Sequence, residues 1–214
     1  MEQLLTGLGL STAAGLNAYI PMLMLGLLAR FTDIVNLPQG WNWLENGWVL
    51  LIVGVLLMVE IVADKIPALD SINDSVQTFV RPAAGGIVFG SGTAAQTAAV
   101  SDPGEWARSG GWIPVAIGVI VALVVSLTKT AVRPAANIAT AGVAAPVLST
   151  LEDVTSFGLV FVALLLPVLV LVILLALIWS GWRLWRRIRH RKGAPYAPPS
   201  AAPVDWREPP RQPF

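Results

Sequence analysis

At 214 residues with 55% hydrophobic and 13% charged side chains, and a mean hydropathy of +0.69, the chain is too apolar for an ordinary soluble domain, where about a quarter of residues are charged. It has no cysteine and one histidine, His190. Disulfides, thiolate metal sites and a histidine-based zinc site or catalytic triad within one chain are therefore excluded. The net charge of +1 hides an asymmetry, because Arg183, Arg186, Arg187, Arg189, Arg191 and Lys192 all follow the last apolar run. These features predict an all-α, polytopic transmembrane bundle with a cytoplasmic basic anchor that can touch anionic lipid; nucleic acid is not an expected partner.

Residues 4–29 are apolar and lack the basic start of a signal peptide, so they read as a retained first helix. Asn17, Tyr19 and Pro21 interrupt its middle, and Gly7, Ser11 and Gly15 recur every four positions, a spacing that lets helix backbones approach closely in lipid. The loop that follows carries Trp41 and Trp43, and Trp48 starts the next helix, which marks a membrane interface. A second span, 48–65, is aliphatic until Glu60 and closes with Asp64 and Lys65.

After Pro67, residues Leu69, Ile72, Val76 and Phe79 fall at helical spacing, predicting an interfacial amphipathic helix over 66–80. Pro82, a residue suited to a first helical turn, opens a third span, 82–100, with Gly86, Gly90 and Ala94 again every four residues. The fourth span, 112–132, is aliphatic. Residues 134–150 read either as a fifth crossing or as a re-entrant hairpin, and 156–179 as a sixth span kinked at Pro167. The bundle thus covers 1–181, followed by a basic juxtamembrane segment, 182–192, and a Pro-rich tail, 193–214, expected to be disordered.

An internal repeat runs through this pattern. Both copies open Gly-Trp (Gly47-Trp48, Gly111-Trp112), carry a glycine (Gly54, Gly118) and a lysine (Lys65, Lys129) at matching offsets, and continue to Arg-Pro-Ala-Ala, beginning at Arg81 and at Arg133. This predicts a helix, a turn and a second helix used twice, as spans 2–3 and 4–5. Odd spans are rich in small and polar residues and should line the bundle; even spans are aliphatic and should face lipid. With six crossings and a cytoplasmic amino terminus, Lys65, Arg81, Lys129, Arg133 and the tail lie inside. The outer loops then hold Arg30 and Arg108 against Asp33, Glu45, Asp102, Glu105, Glu152 and Asp153. That agrees with the positive-inside tendency and puts both termini in the cytoplasm.

The candidate site is the set of cationic helix ends, Lys65, Arg81, Lys129 and Arg133. Each Arg-Pro opens a helix with unpaired amides, so arginine and helix end together can hold a phosphate or carboxylate. The plainer reading makes them anchoring cations satisfied by Asp64, Asp70 and Asp74. Glu60 stands within an apolar run, one turn before Asp64, and an intramembrane carboxylate often marks a proton or ion pathway; a helix-end partner of Lys65 or Arg81 is the alternative. Asp70 and Asp74 join Glu60 and Asp64 as an acidic group, without a full cation-loop pattern. Asn17 and Asn137 can touch a substrate, though interhelical hydrogen bonds are the commoner use. Glu152 and Asp153 read as a solvated outer turn or helix cap. No phosphate loop, catalytic triad or metal motif occurs, no cofactor is implied, and the lack of a recognisable nucleophile argues against an enzyme.

The strings GLGLSTAAGLNAY (Gly7 to Tyr19), ADKIPALDSIND (Ala63 to Asp74) and RPAAG (Arg81 to Gly85) resemble the bacterial domain-of-unknown-function family numbered 4126. The resemblance covers residues 4–177 and implies a small protein integral to the bacterial inner membrane, without an established substrate or catalytic residue. Two functions remain open on these residues. One is a transporter or lipid flippase that receives an anionic group and is coupled through Glu60. The other is a scaffold or accessory subunit that holds a second copy or a membrane-protein partner through its small-residue faces and basic tail.

Overall fold

The computed structural model describes residues 2–37, 39–92, 110–140 and 144–191, with side chains throughout except at 39, 67–71, 132–139, 144–145, 177–178, 180–182, 184–185 and 187–191. Ala94, Arg108 and the Pro-rich tail lie outside the described residues, as do the side chains of Asp70, Arg133 and Asn137. Everything described is helical or irregular, with no strand. The α-helices are α1 (Glu2–Leu16), α2 (Tyr19–Phe31), α3 (Gly47–Ala63), α4 (Pro67–Gly92), α5 (Trp112–Ala139), α6 (Ala144–Leu165) and α7 (Pro167–Arg191); a 3-10 helix, Gln39–Glu45, precedes α3.

The described residues fall into two compact units, divided between residues 173 and 174. In the first, α1 packs against α4, α5 and α6, and the most extensive interface joins α4 to α5. Small residues make this possible. A Cβ placed on Gly85 of α4 would stand 2.7 Å from the Gly118 carbonyl of α5, and one on Gly118 would strike the Gly85 carbonyl. The backbones therefore touch, as small-residue crossings permit. Gly85 faces Gly118 while Gly90 faces Val115, so α4 and α5 are antiparallel. In the second unit, the Arg183 guanidinium lies 5.1 Å from the centre of the Trp179 ring, a cation–π arrangement.

Several predicted boundaries move, each for a physical reason. The first span is not one crossing but two helices that run in opposite directions. Ser11 and Leu10 of α1 meet Gly85 and Gly92 of α4, whereas Gly26 and Arg30 of α2 meet Leu50 and Glu45 at the start of α3. The chain therefore reverses at residues 17–18, and the start of α1 lies at the end opposite Lys65, not beside it as expected. Pro21 has no N–H to give the carbonyl of residue 17, and its ring would clash there; the helix stops at Leu16 and restarts at Tyr19. The amphipathic helix and third span are one, because α4 runs from Pro67 through Pro82. Likewise α5 continues past Lys129 and Pro134 to Ala139. The chain turns at Asp64–Ile66 in the first copy of the repeat, whereas no turn follows Lys129. Nor is Gly54 equivalent to Gly118, since a Cβ on Gly54 would meet nothing within 4 Å. The predicted kink at Pro167 is a full boundary between α6 and α7.

Residues 112–131 and 146–165 are each long and apolar enough to cross a membrane; shorter apolar helices span 19–31, 47–63 and 167–176. The aliphatic side chains of α3 point outward, Ile52, Val55, Met58, Val59 and Val62 all being more than half exposed, and only Leu50 and Glu60 of this helix are buried.

Candidate functional site

The interior of the first unit holds buried polar and charged side chains, among them Asn17, Glu60, Asp64, Gln77, Arg81 and Lys129. At the break between α1 and α2, the Asn17 side-chain oxygen accepts from the Tyr19 and Ile20 amides at 3.0 and 3.1 Å. It thereby satisfies open donors at the start of α2, the role of an N-cap. The Asn17 amide donates to Asp153 Oδ1 of α6 at 2.9 Å. On the other side of the break, the Leu16 carbonyl accepts from Lys129 Nζ at 3.0 Å, placing a cation at the negative end of α1. Lys129 also pairs with Glu152 Oε2 at 2.8 Å. Ser156 of α6 donates to the Ala13 carbonyl at 3.0 Å, so α6 runs antiparallel to α1.

The second half of the site joins α3 and α4. Arg81 is fully buried, with one guanidinium nitrogen 3.5 Å from Glu60 Oε1 and another 3.3 Å from Asp74 Oδ1. Asp64 accepts from Asn73 Nδ2 at 2.6 Å and from Ser149 Oγ at 3.3 Å, which ties α3 to α4 and α6. Tyr19 brings its hydroxyl to the Gln77 side chain and lies within the fields of Glu60 and Arg81. Glu60 in turn feels the charges of Arg81, Lys129, Asp64 and Asp153. The two halves are one electrostatic network.

Among the described side chains its balance is acidic. Glu60, Asp64, Asp74, Glu152 and Asp153 are buried or half-buried, against Arg81 and Lys129; Lys65 is exposed, although its charge reaches Asp153. Among the described residues, three buried polar atoms, Glu60 Oε2, Gln77 Oε1 and Arg81 Nε, have no hydrogen-bond partner. No three acidic side chains converge as a metal ion would require, among the described residues. Such a network can hold protons or exchange ion-pair partners, since among the described side chains its carboxylates outnumber its cations and Arg81 is shared between Glu60 and Asp74.

Of the predicted site residues, the structure brings together Glu60, Asp64, Asp74, Arg81, Lys129 and Asn17. It does not bring the cations to a common open pocket. Arg81 is held by Glu60 and Asp74, Lys129 by Glu152, and Lys65 points to the exterior. Gln77, Ser149, Glu152 and Asp153 were not expected here. Glu152 and Asp153 are no solvated outer turn; they lie within α6, bonded to Lys129 and Asn17. Their proximity to Lys129 also shows that 134–150 does not separate Lys129 from Glu152 by a bilayer thickness, about 30 Å. The one sequence signal for the break was the Asn17/Pro21 pair at i, i+4, which set a capping side chain opposite a missing donor.

No curated protein and no solved structure matches the chain. The family described as Domain of unknown function (DUF4126) matches residues 4–187, and the chain belongs to that family.

Proposed function

We propose that this protein is a small multi-pass transporter of the bacterial inner membrane, coupled to proton movement through Glu60, with its basic carboxyl end in the cytoplasm. The observation that carries the reading is a helical hairpin, α1–α2, whose turn lies inside an apolar bundle, with both open helix ends bound by charged or polar side chains that belong to a buried acidic network. Helix ends that stop at membrane depth, in broken or re-entrant segments, form the ion and substrate sites of many secondary transporters, and irregular backbone there is tolerated where it lines such a site. The inversion of polarity supports the membrane location: α3 turns long aliphatic side chains outward while Glu60 of the same helix is buried. Water does not favour an exposed apolar face of that extent.

An anionic solute, the expectation from the cationic helix ends, finds less support at Arg81 and Lys129, because both already have carboxylate partners. The geometry favours a coupling role for this cluster. The test is reconstitution in proteoliposomes with a trapped pH dye, followed by pooled organic anions and organic cations on the outside. Wild-type protein should move protons with at least one pool, and Glu60→Gln should abolish the proton signal while still inserting. A wild type that moves no pooled solute and no protons removes the proposal.

A further inference from the structure

We infer that the carboxyl end of α1 is a monovalent-cation site that the chain fills with its own Lys129 ammonium. The site consists of the Leu16 carbonyl, where α1 stops, and the Glu152 carboxylate across from it on α6. A helix that stops in the interior leaves its last carbonyls without amide partners and concentrates partial negative charge there. In broken-helix transporters such unwound carbonyls coordinate the coupling sodium ion or proton. Here the position holds Nζ at 3.0 Å from the Leu16 carbonyl and 2.8 Å from Glu152. The Lys129 side chain is 4% exposed, and its charge also acts on Glu60 and Asp153. Three carboxylates therefore bear on one ammonium group.

A tethered ammonium and a free alkali ion satisfy the same oxygens, and the tethered one costs no binding entropy. Lys129 thus removes any need for sodium or potassium at this position. Together with the transporter reading, on which this clause rests, the protein would run on protons alone. Removal of the ammonium should convert the position into a site for a free small cation.

The experiment follows melting of the purified protein by the fluorescence of its nine tryptophans in choline, sodium, potassium, ammonium and propylammonium chloride at equal ionic strength. Wild type should melt within about 1 °C in all five salts. Lys129→Ala should melt lower in choline and recover by about 3 °C or more in potassium, ammonium or propylammonium. Lys129→Met, whose side chain fills the space without charge, should show no recovery. If Lys129→Ala gives no folded protein in choline, folded protein purified in propylammonium is the expected result. The inference is overturned by a wild type that sodium or potassium stabilises, by a folded Lys129→Ala indifferent to the cation, or by its failure to fold in every salt. Because melting is read without transport, the inference can fail while the transporter reading stands, and the reverse.

Discussion

Lys129 and Glu152 form a 2.8 Å ion pair between α5 and α6, so the 22 residues between them leave the polar network and return to it. Asp64, beside exposed Lys65, accepts from Ser149 on the returning helix, which puts Lys65 and the turn at Thr140 toward the same end of the bundle. Because the chain lacks cysteine, single-cysteine variants read this directly. Cysteines at Lys65 and at Thr140 should both react with an impermeant maleimide from the cytoplasmic face of inverted vesicles. If 134–150 crossed the membrane instead, a cysteine at Thr140 would sit in lipid and stay unlabelled.

Arg81 is the cation whose removal should cost most. Its guanidinium is fully buried against Glu60, itself 2% exposed, and against Asp74. Truncation leaves two carboxylates without their counter-charge, a loss of about 3–5 kcal/mol for a buried pair broken on one side. Arg81→Met should therefore lower the unfolding midpoint strongly in detergent. Adding Glu60→Gln in the same chain should restore part of it, since the more deeply buried of the two carboxylates then carries no charge. Equal losses in the single and double variants would mean that the pair is not what holds this region.

Which parts of this arrangement could be seen in the sequence follows from how local their causes are. Glu60 stood out because a carboxylate interrupts an otherwise aliphatic run, and the Gly7/Ser11/Gly15 stripe pointed to a face that meets other helices; Ser11 does bond the Gly85 carbonyl of α4, at 3.3 Å. Pro82 and Pro134 misled for the opposite reason. Locally, proline favours a helix start, yet α4 and α5 run through both, where the packing of Gly85 on Gly118 outweighs the lost backbone bond of α4. Glu152 and Asp153 resembled a cap because their partners are distant: Asp153 meets Asn17 across 136 positions of chain. No spacing rule reaches that far.

The close approach of α4 and α5 gives a test of packing against sequence symmetry. Gly54 and Gly118 occupy matching places in the repeat, but a Cβ on Gly54 enters open space while one on Gly118 meets Phe89 Cβ at 2.5 Å as well as the Gly85 backbone. Gly118→Ala should destabilise by about 1–3 kcal/mol, the usual range for overpacking a filled interior. Gly54→Ala should leave the melting temperature unchanged or slightly raise it, because alanine is the better helix former. Comparable losses at both positions would restore the equivalence of the two copies.

Asn17 does two jobs with one amide, and substitutions can separate them. Its oxygen caps α2, and its nitrogen donates to Asp153. Asn17→Ser keeps an acceptor for the Tyr19 and Ile20 amides and brings no charge, so it should cost less than Asn17→Ala. Losing the cap altogether costs about 0.5–2 kcal/mol. Asn17→Asp is the sharper case. Aspartate is as good a cap as asparagine in isolation, but here it would set a second carboxylate against Asp153, in a network where, among the described side chains, five acidic groups already face two buried cations. It should therefore be the least stable of the three by thermal denaturation, and Asp153→Asn in the same chain should recover it by turning a carboxylate–carboxylate contact into a carboxylate–amide hydrogen bond. An Asn17→Asp protein as stable as Asn17→Ser would show that the Asp153 contact contributes nothing to the break, and that capping alone holds α2 in place.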